Sequence, residues 1–293
     1  MAANNAGYDA PLDSADYTKV TVDGLTFNVY DKGDGPAVLM FHGGPATSQE
    51  FRHNAPALVE AGFRVVAPDL LGNGDSDRPD DVSLYTMRKD YEHGLGIADA
   101  LGLDTFDVVG QDRGAPPAWF LAALNPDRVR RIVSTNVGHL NGFFTAGIGQ
   151  REQSWYMLFA QFDVAEEAMK ADDWALFRTW MRHHPEVDSW IESLSRTPNG
   201  LLTGSLNWYR ANSNPDHPSE TELLPKVSAP TLVIYSGNDP YLGLEQIGTS
   251  ALHLDGPLRM ERIDGAGHYV SVTAPKQWNR AVLDFLQATD DEL

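Results

Sequence analysis

The sequence of 293 residues carries 41 acidic and 22 basic side chains, a formal net charge of -19, and no cysteine. So acidic a surface repels phosphate backbones and anionic head groups, which argues against nucleic acid and membrane partners. The missing cysteines exclude disulfides, thiol chemistry and cysteine-ligated metals, and the proportion of 42% hydrophobic to 22% charged residues is that of a soluble globular chain.

Its length accommodates one α/β core with a sizeable insertion. The leader MAANNAGYDAPLDSADY has neither the basic start nor the apolar centre of a signal peptide, and no apolar run has membrane-spanning length, so a cytoplasmic protein is expected. Next, TKVTVDG and LTFNVYD alternate on either side of Asp23-Gly24 and predict a β-hairpin. PAVLMFHG, FRVVAPDL, FDVVGQD, VRRIVSTN, APTLVIYSG and LRMERIDG follow as short β-rich runs, most of them separated by helical periodicity. That alternation predicts a mostly parallel sheet flanked by helices.

FHGGP, residues 41–45, follows the third strand, and its small residues let the main chain approach a substrate. LGNGDSD, residues 71–77, lacks the third glycine of a dinucleotide fingerprint and reads as a structural turn. Gly110-Gln111-Asp112-Arg113-Gly114 then lies between a buried strand and a helix opened by Pro116-Pro117. This is the pattern of a nucleophile elbow, in which a sharp turn lifts one side chain above the carboxyl edge of the sheet. The central residue is aspartate, and the chain has no G-x-S-x-G. A carboxylate is already ionised at neutral pH and attacks a saturated carbon without a base, but the resulting ester needs a histidine to activate water.

The interval from Asn136 to Ala229 is far longer than an ordinary αβ connection. Its aromatic-rich, helically periodic segments SWYMLFAQF, AEEAMKADDWALFRTWM, DSWIESL and GLLTGSLNWYR, with breaks at Pro185, Pro198 and Asn199-Gly200, predict a helical cap over residues 138–225. The core domain is then 1–137 and 226–293. Within the cap, His183-His184-Pro185-Glu186 has no further ligands at metal spacing and reads as a solvated loop. No metal and no cofactor is implied.

Asp239 follows one late strand in IYSGNDP, and His268 follows the next in RIDGAGH. Nucleophile, acid and histidine in that chain order are the arrangement of α/β-hydrolases, so Asp112, Asp239 and His268 are the candidate triad. The main-chain amides of Gly44 and Arg113 are the candidate oxyanion hole.

FHGGP, the aspartate elbow, the late Asp and His, and LNWYR together resemble the epoxide hydrolases of the α/β-hydrolase fold, over residues 17–288. The resemblance implies an α/β-hydrolase sheet with an inserted helical cap, an epoxide and water as substrates, a vicinal diol as product, and two cap tyrosines on the epoxide oxygen. Tyr156 and Tyr209 are similar in position to those two. Phenols suit that task, because an alkoxide leaves poorly without a proton donor.

Asp112-Arg113-Gly114 departs from the Asp-Trp-Gly of many epoxide hydrolases and looks more like the haloacetate dehalogenases. Those carry a second arginine where this chain has Pro116, an acid where it has Asn136, and a tryptophan where it has Tyr156. The dehalogenase reading and that of a non-catalytic ligand-binding fold stay open as alternatives. A second copy of the chain, in a homodimer, is the one protein partner left open.

Overall fold

The computed structural model describes residues 10–182, 184–196, 200–213, 223–289 and 292. The leader up to residue 9, His183 and Pro198-Asn199 lie outside them. An eight-stranded sheet runs in the order β1-β2-β4-β3-β5-β6-β7-β8. Its strands are β1 Tyr17–Val22, β2 Leu25–Lys32, β3 Ala37–Phe41, β4 Arg64–Pro68, β5 Phe106–Gln111, β6 Val129–Thr135, β7 Thr231–Tyr235 and β8 Leu258–Arg262. β1 and β2 form the expected hairpin, and Asp23 and Gly24 turn it with φ of 50° and 82°. Two positive φ values in a two-residue loop match the twist of the flanking strands. β2 pairs antiparallel with β4, and every later pairing is parallel.

The central strands read as unbroken apolar runs because both sheet faces are covered. Along β3 the side chains alternate between two cores, with Val38 and Met40 on one face and Leu39 and Phe41 on the other. The first face packs against Ala55 and Leu58 of α1 (Ala55–Glu60) and Trp278 and Phe285 of the C-terminal helix Pro275–Leu286. The second packs against α2 (Met87–Ala100) and α3 (Ala115–Leu124), the latter buried almost all round.

Between β6 and β7 the chain forms α4 Leu140–Thr145, α5 Ile148–Gln153, α6 Trp155–Phe159, α7 Ala165–Met181, α8 Val187–Arg196 and α9 Leu201–Ser213. Their buried aromatic residues continue the core of the second sheet face. The segment AEEAMKADDWALFRTWM is not one regular helix. It breaks at Ala171–Trp174, where Asp172, Asp173 and Trp174 take φ of 50°, 55° and 62°. Aspartate tolerates this left-handed conformation better than most residues, and the break lets Met169 before it and Trp174, Phe177 and Trp180 after it share one core. Among the described residues no helix is long and apolar enough to cross a membrane.

Candidate active site

The elbow explains its own glycines. A β-carbon on Gly110 would stand 2.4 Å from the Gly114 carbonyl oxygen, and one on Gly114 only 2.1 Å from that of Phe41, so larger residues would force strand, turn and α3 apart. Asp112 itself takes φ of 47°, an uncommon conformation for a residue with a side chain, of the kind that gathers at functional sites. Its side chain is 13% exposed. The Gly44 amide donates to Oδ2 at 3.0 Å, and Oδ1 lies 3.5 Å from His268 Nε2. Burial alone would raise the carboxyl's pKa, but His268 and the Gly44 and Arg113 amides outweigh it and hold the group below the usual carboxylate range.

His268 Nδ1 meets Asp239 Oδ2 at 2.9 Å, while Asp239 Oδ1 accepts from the Tyr241 and Leu242 amides at 2.8 and 3.1 Å. Burial disfavours an imidazolium here, yet the two flanking carboxylates prevail and raise the pKa of His268 well above its ordinary value. Gly265 and Gly267, at φ of 79° and 66°, shape the loop before it. The structure thus brings Asp112, His268 and Asp239 together, with the Gly44 amide on the nucleophile candidate.

Tyr156 and Tyr209 stand above them, ring centroids 5.4 Å apart. Both line the same cavity as Asp112. A β-carbon on Gly44 would lie 3.6 Å from the Tyr209 hydroxyl, which places that phenol over the loop whose amide binds Asp112. Burial, with Asp112 nearby, pushes both phenols well above their ordinary pKa, so both keep their protons at neutral pH.

Arg113 does more than lend an amide. Its side chain is 1% exposed, and its guanidinium donates to Asn73 Oδ1 at 2.5 Å and to the Leu71 carbonyl at 3.0 Å, with Asp90 at 3.6 Å. Trp208, beside Tyr209, donates its indole N–H to the same Asp90 at 2.8 Å and lies 5.7 Å from the guanidinium. Asn73 also donates to Ser205 of α9 at 2.9 Å. The turn LGNGDSD, expected to be merely structural, therefore helps tie the elbow to α9. Both terminal nitrogens of Arg113 are engaged by the protein, which leaves them poorly placed to receive a substrate carboxylate.

Several neighbours of the site gave no sequence signal. Glu50 is buried and accepts from the Gly43 amide at 2.7 Å and the Gln111 side chain at 2.8 Å; no motif covers its position. Asn136 donates to the His268 carbonyl, so the residue at that place holds the histidine's main chain. Tyr241 and Tyr269 set ring edges against His268 at 5.0 and 4.9 Å. The expectation of a solvated loop at His184 is corrected. Its ring is buried, 3.8 Å from Trp190 and 4.4 Å from Tyr269, and Glu186 pairs with Arg52. Aromatic packing between Trp190 of α8 and Tyr269, next to His268, put it there, which local sequence does not reveal.

The chain is similar to Epoxide hydrolase A of Mycobacterium tuberculosis, at 28% identity over 91% of this chain and 96% of that protein. It is equally similar to an epoxide hydrolase of Caballeronia sordidicola, at 28% identity over 92% and 93%. Among solved structures, one described as novel epoxide hydrolases in metagenomes from hot environments superposes with a TM-score of 0.82 at 27% identity, covering 93% of this chain and 99% of that one. A family model described as the alpha/beta hydrolase fold matches residues 36–275, and with the sheet order and elbow above it shows that the chain belongs to that family of hydrolases.

Proposed function

We propose that this chain is an epoxide hydrolase, with residues 138–225 acting as the cap domain that supplies its two phenols. The observation that carries the reading is the pair Tyr156 and Tyr209, proton-bearing and facing Asp112 across one cavity. A haloacid needs a free cation for its carboxylate, whereas an oxirane needs proton donors for its oxygen, and the site is built for the second. The likeness to proteins named epoxide hydrolases supports the same choice.

Oδ2 of Asp112 is held by the Gly44 amide, so Oδ1 is the attacking oxygen. It bonds to an oxirane carbon as that carbon's bond to oxygen breaks, and one tyrosine protonates the leaving oxygen. Alkylation also removes the negative charge of Asp112, one of the two charges that hold a proton on His268. The imidazolium gives up that proton, the tyrosinate regains one, and neutral His268 becomes the base that His268–Asp239 pairing orients. Water loses its proton to His268 and adds to Cγ of Asp112, and the oxyanion at Oδ2 rests on the Gly44 and Arg113 amides. Collapse breaks the bond between Cγ and Oδ1, and the departing alkoxide takes the remaining proton of the added water, so a vicinal diol leaves with Oδ1, Asp112 is again a carboxylate and His268 again an imidazolium.

A single turnover of styrene oxide in water enriched in heavy oxygen tests this order. The first diol should carry unlabelled oxygen from Asp112, and the label should appear in the protein. Label in every first-turnover diol means water attacks the substrate directly, and the ester mechanism is wrong.

A further inference from the structure

Attack by Asp112 moves one negative charge. It leaves the carboxylate as the ester forms and arrives on whichever tyrosine gives its proton to the ring oxygen, so the better donor is the phenol whose oxyanion the protein can stabilise. In a buried site such a charge is poorly screened, and a neighbouring cation weighs heavily. The two phenols are unequal in this respect.

Tyr156 stands among rings. Those of Trp155, Trp180, Tyr209 and Tyr241 lie 6.3, 5.6, 5.4 and 5.5 Å from its own, between centroids. The carboxylates of Asp112 and Asp239 add to the effect of burial and push its pKa further up. Tyr209 has a cation beside it. A β-carbon on Gly44 would lie 3.6 Å from the Tyr209 hydroxyl and also 3.6 Å from Cδ of Arg113, so the phenol and the root of that guanidinium are close neighbours over one glycine. Arg113 is the one basic residue lining the cavity among the described residues, and its charge pulls the pKa of Tyr209 down against burial.

The guanidinium is also held in one orientation. Asn73, Leu71 and Asp90 meet its two terminal nitrogens. Nε, the nitrogen bonded to Cδ, is instead buried and donates to no group among the described residues. Asp90 therefore offsets the far end of the cation, and the end with the unused N–H is the one nearer Tyr209. A buried donor without a partner is costly in the resting protein, and an anion formed beside it eases that cost.

We propose that Tyr209 is the proton donor of ring opening because the Arg113 guanidinium stabilises its tyrosinate, and that Tyr156 serves as a hydrogen-bond donor to the same oxygen and keeps its proton. This rests on the epoxide hydrolase reading and divides the task which that reading gives to both phenols. As Oδ1 of Asp112 bonds to the ring carbon, the electron pair of the breaking C–O bond passes to the ring oxygen, which takes the hydroxyl proton of Tyr209. The electron pair of that O–H bond stays on the phenolate beside Arg113 until a proton returns from the imidazolium. The Arg113 side chain acts through Tyr209 and is a positioning residue for this step.

Rapid-quench measurement of alkylation by styrene oxide tests both parts. Tyr209→Phe should slow alkylation about fivefold or more beyond the loss in Tyr156→Phe. Equal losses, or a greater loss from Tyr156→Phe, overturn the choice of donor. Arg113→Met removes the cation but keeps most of the apolar stem and the main-chain amide. It should slow alkylation about tenfold or more in the wild-type and Tyr156→Phe backgrounds, and less than about twofold in Tyr209→Phe, where no tyrosinate forms at that position. A merely structural side chain slows all three backgrounds alike, and that result overturns the role of the charge.

Arg113→Met leaves Asp90 buried without its cation. The pair Arg113→Met and Asp90→Asn removes both charges and should reproduce the same pattern across the three backgrounds. Should neither fold, the comparison of Tyr209→Phe with Tyr156→Phe still decides the donor. Wild-type protein that forms neither diol nor covalent adduct with styrene oxide is a different result, and removes the functional reading beneath the proposal.

Discussion

Asp112 and His268 at the sheet edge are fixed largely by main-chain groups, whereas Tyr156 and Tyr209 above them are fixed by packing. Asp112 is held by the Gly44 amide and by its own turn, Asp239 by the Tyr241 and Leu242 amides, and the His268 carbonyl by Asn136. Tyr156 instead leans on Trp180 at 5.6 Å and Tyr241 at 5.5 Å, and Tyr209 on Trp208 at 5.2 Å. Hydrogen bonds to the main chain fix direction as well as distance, while aromatic contacts tolerate a range of tilts. On the proposed mechanism, the lower half would hold one covalent geometry. On the same proposal, the upper half would meet an oxygen whose position varies with substrate.

If that division is right, the deepest loss follows from the lower half. Asp112→Ala should leave no turnover above background, because no other carboxylate stands at the elbow. Steady-state diol formation measures it, and more than a trace of residual activity would remove Asp112 as nucleophile.

His268→Gln separates the two halves in time. Asp112 stays ionised and both phenols stay in place, so attack proceeds while the water step loses its base, a loss of about a hundredfold or more in turnover. Intact-protein mass spectrometry should show one adduct bearing the whole mass of the epoxide, since ring opening expels no atom. Unmodified variant protein with product still released near the wild-type rate contradicts both the triad and the ester.

Tyr156→Phe and Tyr209→Phe probe the upper half alone. Each should slow alkylation by about tenfold or more within the range of general acid catalysis, and the double variant should approach inactivity, while hydrolysis of a formed ester is left largely unchanged. Rapid-quench kinetics on styrene oxide resolve the two steps. Wild-type alkylation in both single variants would make the tyrosines core filler and return the haloacid reading to contention.

The same division explains what the sequence made legible. Strands, hairpin, elbow and the late Asp and His announce themselves through local rules: alternation, glycines where a β-carbon would clash, and loops at strand ends. The tie from Arg113 through Asp90 to Trp208 joins three distant segments and has no local signature. Nor does the break inside α7, where burial of residues on both sides outweighs helical periodicity. Tyr156 and Tyr209 emerged only by resemblance, because a tyrosine among tryptophans looks like packing until the cavity beside it is seen.

The smallest effect on chemistry, and the sharpest on stability, belongs to Glu50, which braces the lower half from beneath through Gly43 and Gln111. Burial, reinforced by Asp112 and opposed by the Gly43 amide, His268 and Arg52, raises its pKa from 4.5 to about 7. Below pH 4.5 both folded and unfolded chains hold the proton, and this contribution to stability is fully present. As pH rises from 4.5 to 7 the unfolded chain ionises first, so stability falls, by on the order of 3 kcal/mol in all, and above 7 the loss stops growing. Glu50→Gln cannot ionise. It also turns an amide N–H toward one of the two donors that Glu50 accepts, a fixed cost of roughly 1–3 kcal/mol that does not change with pH. The wild-type stability minus that of the variant should therefore decline between pH 4.5 and 7 and level off beyond it, and taking the difference cancels titration of Asp90 and other groups that the substitution leaves alone. Chemical denaturation at pH 4.5, 5.5, 6.5 and 8 measures it. A difference that stays constant over this window would mean that Glu50 ionises as an ordinary carboxylate and that the bracing beneath the elbow is charged throughout.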